Sequence, residues 1–140
     1  MNFLNAISGK SELWNIPSKS LIQFEQMQQY IKFQDYVVIN TLKEDMQHCL
    51  IENTILAKNE VSAVEKALKE SKPFVIYGMH YYDASLLRKY QQLKNLGVEF
   101  IYVYGGGMFE WLLLQDIYGK EQFPTNGREL DILKYRPIIQ

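Results

Sequence analysis

The chain has 140 residues, with 15 Lys and Arg against 16 Asp and Glu and a formal net charge of −1. That length suits one domain, and a hydrophobic content of 47 % with 14 % aromatics excludes a disordered chain. The near-neutral charge argues against nucleic acid as a partner, because that role needs a basic surface to displace phosphate counterions.

The opening Met1-Asn2-Phe3-Leu4-Asn5-Ala6 lacks the basic start and long apolar core of a secretory signal. Nowhere does an apolar run approach the ~20 residues of a membrane span. Residues 1–19 are weakly patterned, with Pro17 barring a continuous helix, and are read as an N-terminal extension. Phe24, Met27, Tyr30 and Ile31 then recur at helical spacing. Tyr36-Val37-Val38-Ile39 is a short, continuous, mostly β-branched run, as expected of a strand covered on both faces. Leu50-Ile51 and Thr54-Ile55-Leu56 are weaker strand candidates. Cys49, just before them, is the only cysteine. It excludes an intramolecular disulfide and fits a reducing compartment. Asn59 reads as a helix N-cap ahead of an apolar stripe of Val61, Val64, Ala67 and Leu68. Lys72-Pro73 ends that helix, and Phe74-Val75-Ile76-Tyr77 is the clearest buried strand. Asp83 can cap a helix carrying Leu86, Leu87, Tyr90, Leu93 and Leu96, with Gly97 closing it. Residues 98–104 form the last strand, Gly105-Gly106-Gly107 a tight turn, and 108–118 the last long helix. Alternation of helix and buried strand predicts an α/β domain, with a mostly parallel sheet of about five strands flanked by helices.

In such sheets ligands bind beyond the carboxyl ends of the strands, where loops run into helix N-termini. The segment there is Gly78-Met79-His80-Tyr81-Tyr82-Asp83-Ala84-Ser85, whose backbone N–H groups can face an anion. A second landmark is Gly106-Gly107-Met108-Phe109-Glu110-Trp111. Upstream stand Ile39-Asn40-Thr41-Leu42, Gln47-His48-Cys49 and Thr54-Ile55.

On these segments the chain, over residues 20–119, resembles the rhodanese-like family. In that family a nucleophilic Cys follows the strand, a short loop wraps the anion, and a Gly-Gly-x-x-x-Trp motif opens the last helix. The resemblance puts Gly106, Gly107 and Trp111 on that structural motif. It puts the catalytic Cys position on Gly78 and a common Arg position on Asp83. The strand-end Ile-Asp-Val-Arg of the family is degraded to Ile39-Asn40-Thr41-Leu42. Sulfur or phosphoryl transfer needs a thiolate at the loop's start. Gly78 carries no side chain, and Asp83 would repel an anionic substrate. The resemblance therefore implies a degenerate active-site loop, Gly78 to Asp83, with no catalytic residue and no cofactor. The continuation from Trp111 to Gly119 and Phe123-Pro124-Thr125 is similar to a subgroup of small single-domain members associated with large DNA viruses and protists, which adds virion association as an expectation.

Other candidates carry less. A sulfurtransferase would have to use Cys49 or a partner's thiol, but adjacent His48 and Cys49 point apart on a strand, and a lone cysteine is usually a small buried hydrophobe. His80 reads as an exposed loop histidine before it reads as a ligand. Tyr81 and Tyr82 are either contact anchors at a loop tip or are buried against the loop. Two histidines and one cysteine at this spacing match no zinc pattern, so no metal is expected. The triple glycine lacks the lysine of a phosphate-binding loop.

The helix over 108–118 is apolar nearly all round, with only Glu110, Gln115 and Asp116 polar. Such a helix is buried on more than one side. Its cover is the N-terminal extension, the tail over 120–140, or another protein. With Met108 and Trp111 claimed by the core, Phe109, Leu113 and Leu114 are the candidate interface. The function expected is a catalytically inactive module binding a protein partner or a second copy, in the cytoplasm or another intracellular compartment. The alternatives are a sulfurtransferase and non-catalytic small-anion binding by the loop over 78–85.

Overall fold

The computed structural model describes residues 15–81 and 83–138. Its main sheet has five strands: β1 (Leu21–Ile22), β2 (Val37–Asn40), β4 (Thr54–Ile55), β5 (Phe74–Tyr77) and β6 (Ile101–Tyr104). They lie in the order β1-β6-β5-β2-β4, and every pairing is parallel. Two further short strands, β3 (Leu50–Ile51) and β7 (Thr125–Asn126), pair antiparallel beside it. The helices are α1 (Phe24–Tyr30), α2 (Glu60–Glu70), α3 (Ala84–Asn95) and α4 (Gly107–Tyr118).

Successive strand residues serve opposite faces of the sheet, so the core has two halves. On one face Ile39, Phe74, Ile76, Ile101 and Val103 meet Val64 and Ala67 of α2 and Leu86, Tyr90 and Leu93 of α3, with Ile16 packed among them. On the other, Val38, Val75, Tyr77 and Tyr104 meet Met27 of α1 and Met108, Trp111 and Leu112 of α4. Phe123 and Tyr135, from beyond α4, are buried in that same half. Burial on both faces is why the strands read as continuous apolar runs rather than as alternation.

Several expectations need correction. Asn59 supplies no side-chain cap to α2, because a 3-10 turn over Ala57–Asn59 leads directly into the helix. Val61 and Leu96, placed on apolar stripes from sequence, are 73 % and 52 % exposed. The last strand begins at Ile101 rather than at 98, since β5 pairs with it only from there and β1 only from Val103. The apolar helix α4 is not enclosed all round: Met108, Trp111 and Leu112 are buried, whereas Leu113, Ile117 and Tyr118 lie at the surface. Asp83 does cap α3, its carboxylate accepting the Ser85 N–H, and Gly97 takes φ +96° beyond that helix's end.

Candidate functional site

The loop after β5 and the turn after β6 meet at the carboxyl end of the sheet. Gly107 has φ +65°, and a Cβ there would come within 2.6 Å of the Gly78 carbonyl oxygen and 2.8 Å of the Met79 carbonyl carbon. Only glycine allows that approach. The first amides of α4 are consequently spent on the loop: Met108 N–H donates to the Gly78 carbonyl at 3.0 Å and Phe109 N–H to the Met79 carbonyl at 2.9 Å. Unsatisfied amides at a helix start are what would hold an anion, and these two already have protein partners.

Asp83 fills the loop from within. Its Oδ2 accepts the Met79 N–H at 2.9 Å, and its Oδ1 accepts the Ser85 N–H at 3.0 Å and the Ser85 hydroxyl at 2.5 Å. The Ser85 oxygen lies 2.6 Å from that of Thr41, just beyond β2. The Thr41 hydroxyl in turn donates to the Tyr77 carbonyl at 3.4 Å. Gly78 is buried under the same groups. A Cβ at position 78 would sit 2.6 Å from the Thr41 hydroxyl and closer still to the Asp83 carboxylate. The space where a nucleophilic side chain would project is therefore occupied by protein oxygen atoms.

The other loop residues are placed as follows. Met79 is half-buried against the α1–α4 half of the core. His80 is half-buried; burial lowers its pKa, and the nearby Asp83 charge opposes that shift. Tyr81 is 49 % exposed, and burial of part of its ring raises its hydroxyl pKa, with Glu110 adding to the effect. Tyr82 lies outside the described residues. At the neighbouring turn the buried Tyr104 hydroxyl donates to Glu110 Oε1 at 2.6 Å. Burial first, then this bond, pushes that phenol well above its ordinary range. Glu110 arches over Gly106, where a Cβ would lie 2.5 Å from its Oε1. The strand ends are thus fringed by two carboxylates, Asp83 and Glu110.

Asn40 at the end of β2 is buried and tied into the scaffold. It exchanges two hydrogen bonds with Gln47 and donates to the Ile55 carbonyl. Cys49 is fully buried, and burial raises its thiol pKa, which keeps it protonated near neutrality. His48, facing outward, places Nε2 2.9 Å from Glu129 Oε1. Cysteine and histidine therefore do not form a pair. Of the candidate interface residues, Phe109 and Leu114 pack against the core cluster while Leu113 is 39 % exposed. Among the described residues no group of three His, Cys, Asp or Glu side chains is placed to hold a metal ion. Sequence reasoning missed the roles of Thr41, Ser85 and Glu110, because only the fold brings Thr41 beside Ser85.

The architecture defines an α/β protein with a five-stranded parallel sheet flanked by helices. Two solved structures share this fold. The Alr3790 protein from Anabaena sp. superposes with a TM-score of 0.57 at 16 % identity, over 81 % of this chain and 84 % of that one. A protein from Lactobacillus plantarum gives 0.55 at 18 % identity, over 79 % of this chain and 95 % of its own. No family model matches the chain, and no curated protein matches it. No helix among the described residues is long and apolar enough to cross a membrane.

Proposed function

We propose that this chain is a rhodanese-like domain without catalytic turnover that serves as a protein-interaction or assembly module in a reducing compartment. The observation that carries this reading is Asp83: its carboxylate takes the Met79 and Ser85 amides that an anionic substrate would use, over a glycine where the nucleophile would stand. A sulfurtransferase using Cys49 is disfavoured by that thiol's complete burial. Anion binding inside the loop is disfavoured because the Met79 and Ser85 amides already serve the Asp83 carboxylate. Exposed apolar residues at the outer face of α4, namely Leu113, Ile117 and Tyr118, support a contact role.

Thiosulfate:cyanide sulfurtransferase and generic phosphatase assays should give rates equal to a no-enzyme control. Turnover that disappears in Cys49→Ser would overturn the reading. For the interaction half, Leu113→Glu/Ile117→Glu should leave the fold intact, since both side chains are exposed, and should abolish self-association in light scattering or capture of a partner from the native source. Unchanged association in that folded variant would move the interface elsewhere.

A further inference from the structure

We propose that residues 128–138 form a strap that swings open at Gly127 while the rest of the domain stays folded, and that this opening uncovers the Cys49 thiol. The strap follows β7 and contains a 3-10 turn over Ile132–Tyr135. Its hydrogen bonds are mostly internal. Glu129 accepts from the Asp131 N–H and the Lys134 ammonium, Arg136 donates to the Leu133 carbonyl, and the Lys134 N–H donates to the Asp131 carbonyl. Among the described residues, the one hydrogen bond or ion pair from the strap to the rest of the protein is that of Glu129 with His48, at 2.9 Å. The apolar hold is a single fully buried side chain, Tyr135, aided by Ile132, whereas Leu130, Leu133 and Ile138 are exposed. Even Tyr135 is an imperfect anchor. Its hydroxyl is buried with no hydrogen-bond partner among the described residues, and an unpaired buried polar group opposes the closed state. A segment with few buried contacts and self-directed hydrogen bonds opens at a lower free energy than the whole domain.

Gly127 marks the hinge because anchoring changes there. Before it, β7 pairs with β3, Gln115 bonds the Thr125 hydroxyl, and that hydroxyl donates to the Gly127 carbonyl at 2.9 Å. Gly127 itself has φ +84°, and a Cβ on it would collide with the His48 carbonyl oxygen and lie 3.4 Å from Cys49 Cα. The tail thus crosses directly against the backbone of His48 and Cys49. Cys49 is fully buried in the same half of the core as Tyr135, and the strap charges Glu129 and Lys134 both act on its thiol. While covered, the thiol stays protonated and inert. Opening returns it to water, where its ordinary acidity restores a thiolate fraction. The Glu129–His48 contact is the latch, and strap position sets how this chain's only cysteine meets electrophiles and disulfides.

This inference stands whether or not the domain is rhodanese-like, because it uses only the contacts of the tail. The test is alkylation of the full chain by iodoacetamide, followed by mass spectrometry, at urea concentrations below the unfolding transition. In that reaction the Cys49 thiolate forms an S–C bond and iodide leaves. Opening of the strap alone exposes little surface, so the labelling rate should rise with urea far less steeply than the global unfolding equilibrium does. Glu129→Gln should speed labelling about two- to fivefold. Tyr135→Phe keeps the ring and removes the unpartnered hydroxyl, so it should slow labelling by a similar factor. A shallow urea dependence, with either variant shifting the rate in its stated direction, upholds the strap. Labelling that tracks global unfolding would mean that Cys49 is reached only through loss of the whole fold. A rate that neither variant moves would mean that some other opening exposes it. Either result overturns the proposal.

Discussion

A carboxylate that accepts two backbone amides and a hydroxyl occupies them as fully as a bound anion would. Asp83 does this within the loop it helps to form, and its contact network reaches Thr41 through Ser85. Placing a thiol at position 78 alone should therefore not confer sulfur-transfer chemistry. Gly78→Cys places a Cβ 2.6 Å from the Thr41 hydroxyl and against the Asp83 carboxylate. The expected result is a loss of ~1–3 kcal/mol by overpacking, seen in urea denaturation, with sulfur transfer still at background. Gly107→Ala should be worse. It combines a left-handed backbone with a 2.6 Å approach to the Gly78 carbonyl, which is backbone and cannot rotate away. A cost of at least ~2 kcal/mol is expected from the two effects, and a change under ~0.5 kcal/mol would contradict the packing of the turn on the loop. The glycine at 78 and the acidic residue at 83 were both legible in the sequence. What the carboxylate does was not, because its network depends on Thr41, 44 residues from Ser85 along the chain.

At the level of elements, α4 ties the two ends of the fold together through Trp111. The indole is fully buried, lies edge-on to Tyr104 at 5.9 Å and to Phe123 at 5.1 Å, and donates its Nε1–H to the Pro124 carbonyl at 3.1 Å. Trp111→Ala should cost ~3–5 kcal/mol in chemical denaturation. Trp111→Phe should cost less, since it keeps most of the ring and loses one hydrogen bond worth ~1 kcal/mol. Equal losses for the two would mean that the hydrogen bond, not the ring packing, dominates. This helix also marks where sequence patterning stops informing. Its glycine entry and its buried tryptophan stand out in the sequence. Which of its many apolar residues face inward does not, because amphipathic periodicity distinguishes faces only when polar residues mark the outer one. The strands Phe74–Tyr77 and Val37–Asn40 were legible for the opposite reason, since burial on both faces demands a short unbroken apolar run. Asn59 misled because its side chain is a good cap in principle, while the 3-10 turn before it already directs the chain into α2.

Over the whole molecule, the segment after α4 decides whether the sheet is adequately covered. It turns back at Gly119, inserts Phe123 beside Trp111, pairs β7 with β3, and ends by burying Tyr135. An ionic clasp fastens its outer part: Glu129 lies 2.7 Å from the Lys134 ammonium and 2.9 Å from the His48 ring, and accepts the Asp131 N–H. Lys134 first, then His48 and that amide, hold the Glu129 carboxyl down to about 2 from an ordinary 4.5. A pKa lower in the folded state means the clasp stabilises the fold fully above the unfolded value. That contribution is lost as pH falls from about 4.5 through about 2. Glu129→Gln should therefore lower stability at pH 7 and flatten this part of the acid-unfolding curve. Identical curves for the two proteins would mean that solvent screens the clasp completely. Removing the segment altogether is a larger insult. A chain ending at Gly119 would strip Phe123, Pro124 and Tyr135 from Trp111 and Tyr77, leave β3 unpaired, and expose one half of the core to water. Each buried aromatic is worth several kcal/mol, against a total stability of ~5–15 kcal/mol for a domain of this size. The truncated chain is expected to lack a cooperative unfolding transition and to show collapsed amide dispersion in NMR. A well-dispersed spectrum with a cooperative transition would show that residues 15–119 fold as a unit and that the tail is an accessory to it.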